Sequence, residues 1–155
     1  MINLHRILVP TDFSKYSQNA LKYAAAFAEK FDSQLYLLHV VQDLALFIPD
    51  MVTVAPPIAP SVEQMTTAVR AAFDRLIEAN QLERFKIQRE VREGNPFYEI
   101  IRFAKENEID LILMGTHGHT GLAHMLLGSV TEKVVRKSPC PVLTVRDPEH
   151  EFVLP

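Results

Sequence analysis

The sequence predicts an α/β sandwich built on a mostly parallel sheet, and three observations carry the prediction. Short apolar runs alternate along the chain with segments whose apolar residues recur at helical spacing. The runs in residues 6–10, 34–41 and 109–114 are apolar on both faces, as strands are when helices cover the sheet on either side. Four of the five glycines, Gly115, Gly118, Gly121 and Gly128, fall within fourteen residues directly after the last of these runs. Glycine is used where the backbone must turn through positive φ or approach a ligand closely. Ligands in such sheets bind beyond the carboxyl ends of the strands, which is where these glycines sit.

Five strands follow in order: 6–10, 34–41, 85–91, 109–114 and 141–146. Between the first two, Ala20, Leu21, Ala24, Ala25, Ala28 and Phe31 recur at helical spacing. A second helix is written by Val62, Met65, Val69, Ala72, Phe73, Leu76 and Ile77. Asn95-Pro96 reads as an N-cap followed by proline at the first helical position, opening a third helix with Ile100, Ile101 and Ala104 on one face. A fourth helix is expected from Ser129 to Lys137; Ser129-Val-Thr-Glu132 matches a capping box, with Ser129 as the cap. The alternation is interrupted at 42–60, which holds four of the ten prolines and reads as a long loop, with a lid and a loop of no specific role equally open.

Composition narrows the function classes. With 155 residues, 48% of them hydrophobic, the chain has the length of one domain with a sizeable core, and a single domain over 1–155 is expected. The start lacks a basic leader, and no run approaches the eighteen or so apolar residues of a membrane span, so a cytoplasmic protein without membrane contact is expected. The formal charge of −3, with Lys and Arg interspersed among Asp and Glu, argues against a nucleic-acid surface. Cys140, the one cysteine, lies between two prolines and reads as a small apolar residue.

The glycine stretch obeys Gly-x2-Gly-x9-Gly-Ser, with Gly115, Gly118, Gly128 and Ser129 in the defining places. It is neither the dinucleotide fingerprint nor the P-loop. A phosphate chain could still lie across the N–H groups of residues 115–121 and 129–131, because the latter head a helix whose dipole favours negative charge. From residue types alone, phosphate contact and pure capping are equally open for Ser129. Asp12, in Thr11-Asp-Phe-Ser14, reads by itself as a helix N-cap.

Taken with Val9-Pro-Thr-Asp-Phe-Ser14 after the first strand and Leu38-His-Val-Val41 in the second, this spacing resembles the universal stress protein family in its ATP-binding branch, over about residues 4–146. The resemblance implies a three-layer sandwich whose five-stranded parallel sheet has the order 3-2-1-4-5, the adenine nucleotide α-hydrolase-like fold. It also implies a homodimer paired through strand 141–146, and an unknown protein partner. Asp12 would accept hydrogen bonds from the nucleoside, with Pro10 and Thr11 lining the same pocket. Val40 would meet adenine through its backbone, and Met114 could pack against base or sugar, although core packing is the more ordinary role for it. Gly115, Thr116, His117, Gly118, His119, Thr120 and Gly121 would form one phosphate wall. Gly128, Ser129, Val130 and Thr131 would form the other.

His119 stands where many relatives carry Arg or Lys, so a divalent cation, Mg²⁺ or Mn²⁺, is expected to arrive with ATP, ADP or AMP, held through phosphates. A transition-metal site at His117, His119 and His124 is set aside, since no carboxylate or Cys lies at matching spacing. His5, His39 and His150 have no constellation around them and read as structural or solvent-exposed. Efficient phosphoryl transfer needs positive charge fixed at the γ-phosphate, and the glycine stretch has no Lys or Arg, so slow ATP hydrolysis at most is expected. The leading expectation is a nucleotide-dependent regulatory module in stress response. The alternatives are a nucleotide-processing enzyme of the same superfamily, whose His-x-x-His or Ser-Gly-Gly-x-Asp-Ser signature is absent near the first strand, and a nucleotide-free dimeric scaffold.

Overall fold

The structure, a computed structural model, describes residues 2–42, 62–116 and 128–146. Their elements follow the order β1 (Arg6–Pro10), α1 (Lys15–Phe31), β2 (Gln34–Val41), α2 (Val62–Ala79), β3 (Ile87–Glu93), α3 (Pro96–Glu106), β4 (Leu111–Gly115), α4 (Ser129–Lys137) and β5 (Val142–Val145). The five strands form one all-parallel sheet in the order β3-β2-β1-β4-β5. The expected fold class and strand order are therefore found.

The period-2 alternation of each central strand divides its apolar residues between two cores. Ile7, Val9, Leu35, Leu37 and Leu113 pack on one face with Ala20, Leu21 and Ala24 of α1 and Phe73, Leu76 and Ile77 of α2. Leu8, Tyr36, Leu38, Ile112 and Met114 pack on the other, against Ile100, Phe103 and Ala104 of α3 and Val134 of α4. Hence both faces of β1, β2 and β4 read as apolar in the sequence: each strand is covered twice.

Local signals explain most of the boundaries. The Ser14 side chain caps α1 by accepting the Ser17 N–H, and Asp32, in left-handed conformation at φ 51°, closes it. Asn95 accepts the Phe97 N–H at 3.1 Å and Pro96 opens α3, as the sequence predicts. Several readings change: β4 runs Leu111–Gly115 rather than 109–114, and β5 Val142–Val145 rather than 141–146. β3 lies at Ile87–Glu93 rather than 85–91, because a turn in which the Phe85 N–H bonds Leu82 C=O precedes it and pairing with β2 carries it on to Val41↔Glu93. The cap of α4 is Gly128, not Ser129; no side chain caps this helix, and the Glu132 N–H makes its first bond to Gly128 C=O at 2.9 Å. Most of the expected loop at 42–60, and with it both readings of its role, lies outside the described residues.

Candidate nucleotide site

The sheet order reverses direction between β1 and β4, and there a cleft of about 360 Å³ opens beyond the carboxyl ends of the strands. Its walls come mainly from three strand ends and two helices. Pro10 ends β1, and Thr11 and Asp12 follow it; Leu38, His39 and Val40 belong to the end of β2, with Gln42 just beyond; Met114 and Gly115 end β4. The first turn of α4, from Gly128 to Thr131, faces them, and Pro96 and Ile100 of α3 close one side. Of the expected site residues that the structure describes, all but Thr116 line this cleft. Thr116 stands behind it, its N–H bonded to Val145 C=O at 3.0 Å and its C=O taking the Gly128 N–H at 2.7 Å. His117, Gly118, His119, Thr120 and Gly121, the rest of the expected first phosphate wall, lie outside the described residues, as do His124 and His150.

Backbone direction makes Val40 unusual. Gln34 N–H bonds His5 C=O and Thr11 N–H bonds Leu38 C=O, so the even residues of β2 present their backbone groups towards β1. Leu35 N–H bonds Lys86 C=O and Val41 C=O takes Gly94 N–H, so the odd residues face β3. β1 ends at Pro10, opposite Leu38. The N–H and C=O of Val40 therefore point past the end of the neighbouring strand, into the cleft, as a pair able to read the edge of a planar heterocycle.

The opposite end suits an anion. Because α4 has no side-chain cap, the N–H groups of Ser129, Val130 and Thr131 have no acceptor within the helix. Their partial positive charge faces the cleft. Gly128 has φ −64° and ψ 147°, values open to every residue, so what glycine supplies there is a missing side chain on the cleft wall. The Thr131 hydroxyl is committed elsewhere, donating to Gly115 C=O at 3.0 Å and tying α4 to the end of β4. Glu132, in the first turn, is ion-paired with Arg136 at 2.9 Å.

Asp12 is the one carboxylate among the described lining residues, and no Lys or Arg is found among them. Asp12 is not the cap of α1. It sits two residues ahead of that cap and takes the Ser14 N–H on Oδ1 at 3.0 Å. Sequence reading missed His39, whose ring reaches Thr11 C=O at 2.8 Å, and also Ser17 and Gln42. A single histidine in an apolar strand carries no signal until the partner strand's end is known. Among the described residues no group of three His, Cys, Asp or Glu is placed to hold a metal ion, and no helix is long and apolar enough to cross a membrane.

Residues 3–146 match the profile of the Universal stress protein family. Universal stress protein MJ0531 of Methanocaldococcus jannaschii is 38% identical over 154 residues, covering 96% of this chain and 86% of its own. The solved structure of hypothetical protein MJ0577, a name the same organism's relative carries, superposes with a TM-score of 0.79 at 31% identity, covering 96% of this chain and 99% of the other. A universal stress protein from Archaeoglobus fulgidus, solved in complex with dAMP, shares the fold at a TM-score of 0.61 and 19% identity, covering 93% of this chain and 98% of that one. With the family profile spanning nearly its whole length and a relative well above 30% identical, this chain belongs to the universal stress protein family.

Proposed function

We propose that the protein is an ATP-binding regulatory module of the stress response, working in the cytoplasm as a homodimer, with the cleft between β1 and β4 as its nucleotide site. The observation that carries the reading is the pairing of two unlike ends within one cleft. One end offers the Val40 backbone pair, apolar Met114 and Ile100, and the Asp12 carboxylate. The other offers the uncapped first turn of α4. Adenine would lie against Val40 and Met114, the ribose hydroxyls would donate to Asp12, and the phosphates would meet the N–H groups of Ser129, Val130 and Thr131. The segment 115–121 would complete the phosphate wall. A volume of about 360 Å³ falls in the usual range for small-molecule sites. The universal stress protein solved with dAMP is like this chain in fold alone, so the assignment stands on this cleft's own residues.

A divalent cation would enter on phosphate oxygens, since the described lining offers one carboxylate and no Lys or Arg to neutralise them. The same lack of fixed positive charge supports hydrolysis that is slow at most. β5 is an edge strand, paired on one side only to β4, and a second copy pairing there would cover it. Bound nucleotide would then alter which protein partner the dimer holds.

The test is to denature the purified protein, identify any released nucleotide by anion exchange, and titrate ATP with Mg²⁺ by calorimetry into wild type and Asp12→Ala. ATP in the extract, and binding weakened about tenfold or more in Asp12→Ala through loss of a charged acceptor, is the expected result. A protein that arrives empty and ignores ATP would overturn the reading and leave a nucleotide-free scaffold.

A further inference from the structure

We propose that His39 is a positioning residue for nucleotide binding: its imidazole locks the turn between β1 and α1, and through that turn sets the direction of the Asp12 carboxylate. The inference rests on the nucleotide reading of the cleft, although its first half concerns the ligand-free protein.

The turn is strained and needs support. Phe13 has φ +62°, left-handed backbone that a bulky residue adopts only where its surroundings over-determine it. Two rings hold it. His39 lies 4.8 Å from the Phe13 ring, tilted by 35°, and Phe73 of α2 meets the same ring edge-on at 5.3 Å. His39 also grips the other side of Asp12, for its Nδ1 lies 2.8 Å from Thr11 C=O. A carbonyl oxygen only accepts, so Nδ1 carries the proton and donates. One imidazole thus fixes the residue before Asp12 by a hydrogen bond and the residue after it by ring contact.

Further hydrogen bonds of the turn run in one consistent direction. Thr11 Oγ1 accepts the Phe13 N–H at 3.0 Å and lies 3.0 Å from Ser17 Oγ, whose own proton goes to Ser14 C=O at 3.0 Å. The Thr11 hydroxyl therefore donates to Ser17. Asp12 Oδ1 takes the Ser14 N–H at 3.0 Å. Thr11, Phe13 and Ser14 are thus all held around Asp12, which lines the cleft. His39 is one residue past Leu38, the last β2 residue paired with β1, and one before Val40. The same short piece of β2 would present the adenine reader and brace the ribose acceptor.

The experiment uses two variants at this position. His39→Phe keeps a ring against Phe13 and loses the donor; His39→Asn places an amide N–H near the Nδ1 position and loses the ring. Calorimetric ATP titrations, with Mg²⁺, would cover wild type, both variants, Asp12→Ala and the Asp12→Ala/His39→Phe pair. Amide exchange at Ser14 would be followed without nucleotide. Expected are roughly tenfold weaker ATP binding in His39→Phe, the size one hydrogen bond supports, and most of it recovered in His39→Asn. No further loss is expected from His39→Phe once Asp12 is alanine. Ser14 exchange should quicken about tenfold in His39→Phe while Ile112, bonded to Pro141 across the sheet, keeps its rate. An equal loss with and without the Asp12 carboxylate, or unchanged Ser14 exchange, overturns the proposal. Should wild type bind no ATP, the nucleotide reading fails by itself and Ser14 exchange alone decides the lock.

Discussion

Replacing Thr131 by valine separates two roles that the α4 terminus could give that side chain. Thr131 is 5% exposed and its hydroxyl donates to Gly115 C=O at 3.0 Å, so the structure assigns the oxygen to the scaffold and leaves only the backbone N–H for a ligand. Valine preserves the branched shape and removes the donor. Leaving a buried acceptor unsatisfied costs about 1–3 kcal/mol. The added methyl returns about 0.8 kcal/mol of apolar burial. The expected net loss is about 0.2–2 kcal/mol, which in a chain of this size lowers the melting temperature by up to roughly 8 °C. Urea denaturation followed by circular dichroism gives the free energy, and calorimetric titration gives ATP affinity on the same preparation. The expected result is a lower urea midpoint with affinity within about twofold of wild type, a factor well under one hydrogen bond. If affinity instead falls tenfold or more while the midpoint stays put, the hydroxyl faces the ligand and the reasoning is refuted.

Three further outcomes can be checked independently. Asn95→Ala removes the acceptor for the Phe97 N–H at the start of α3 and should cost about 1 kcal/mol in urea unfolding, whereas Asn95→Asp should cost far less. Hydrogen bonds from Arg92 and then Arg102 hold the Glu106 carboxyl below the ordinary carboxylate range. Its folded value is thus below its unfolded one, so its stabilising contribution is present above the unfolded value and is lost as pH falls through the folded one. In a carboxyl-detected NMR titration, Arg92→Gln should move the Glu106 midpoint upward, and an unmoved midpoint would deny the contact. Burial, opposed in part by the Ser138 hydrogen bond, pushes the Cys140 thiol up. Iodoacetamide at pH 8 should therefore modify the folded protein several-fold more slowly than the urea-unfolded chain.

The legible parts of this fold are those whose cause is local. Ile7, Leu8 and Val9 are consecutive apolar residues because α1 and α2 cover one face of β1 and α3 and α4 the other. Asn95-Pro96 marks the start of α3 because capping and proline geometry act within three residues. The misplaced edges have equally physical reasons. β3 is an edge strand with partly exposed polar residues, so nothing in its composition marks where pairing with β2 stops. Ser129-x-x-Glu132 has the residue types of a capping box, and the helix does run from Ser129, yet its cap is Gly128, one residue earlier, which has no side chain to bond the first-turn N–H groups.

By itself the sequence determined the alternation of strands and helices, the two-sided burial of the central strands and the clustering of glycine after the fourth strand. Each is a matter of which side chains avoid water and which backbone conformations are cheap, and both are written in patterns a few residues long. Tertiary structure decided which backbone groups are left over. Val40 faces the cleft because β1 stops opposite Leu38, and His39 meets Thr11 across a separation of 28 residues. Neither follows from local pattern, since where one strand ends relative to its neighbour is set by the register between distant segments, and the site consists of the groups that this register leaves unpaired.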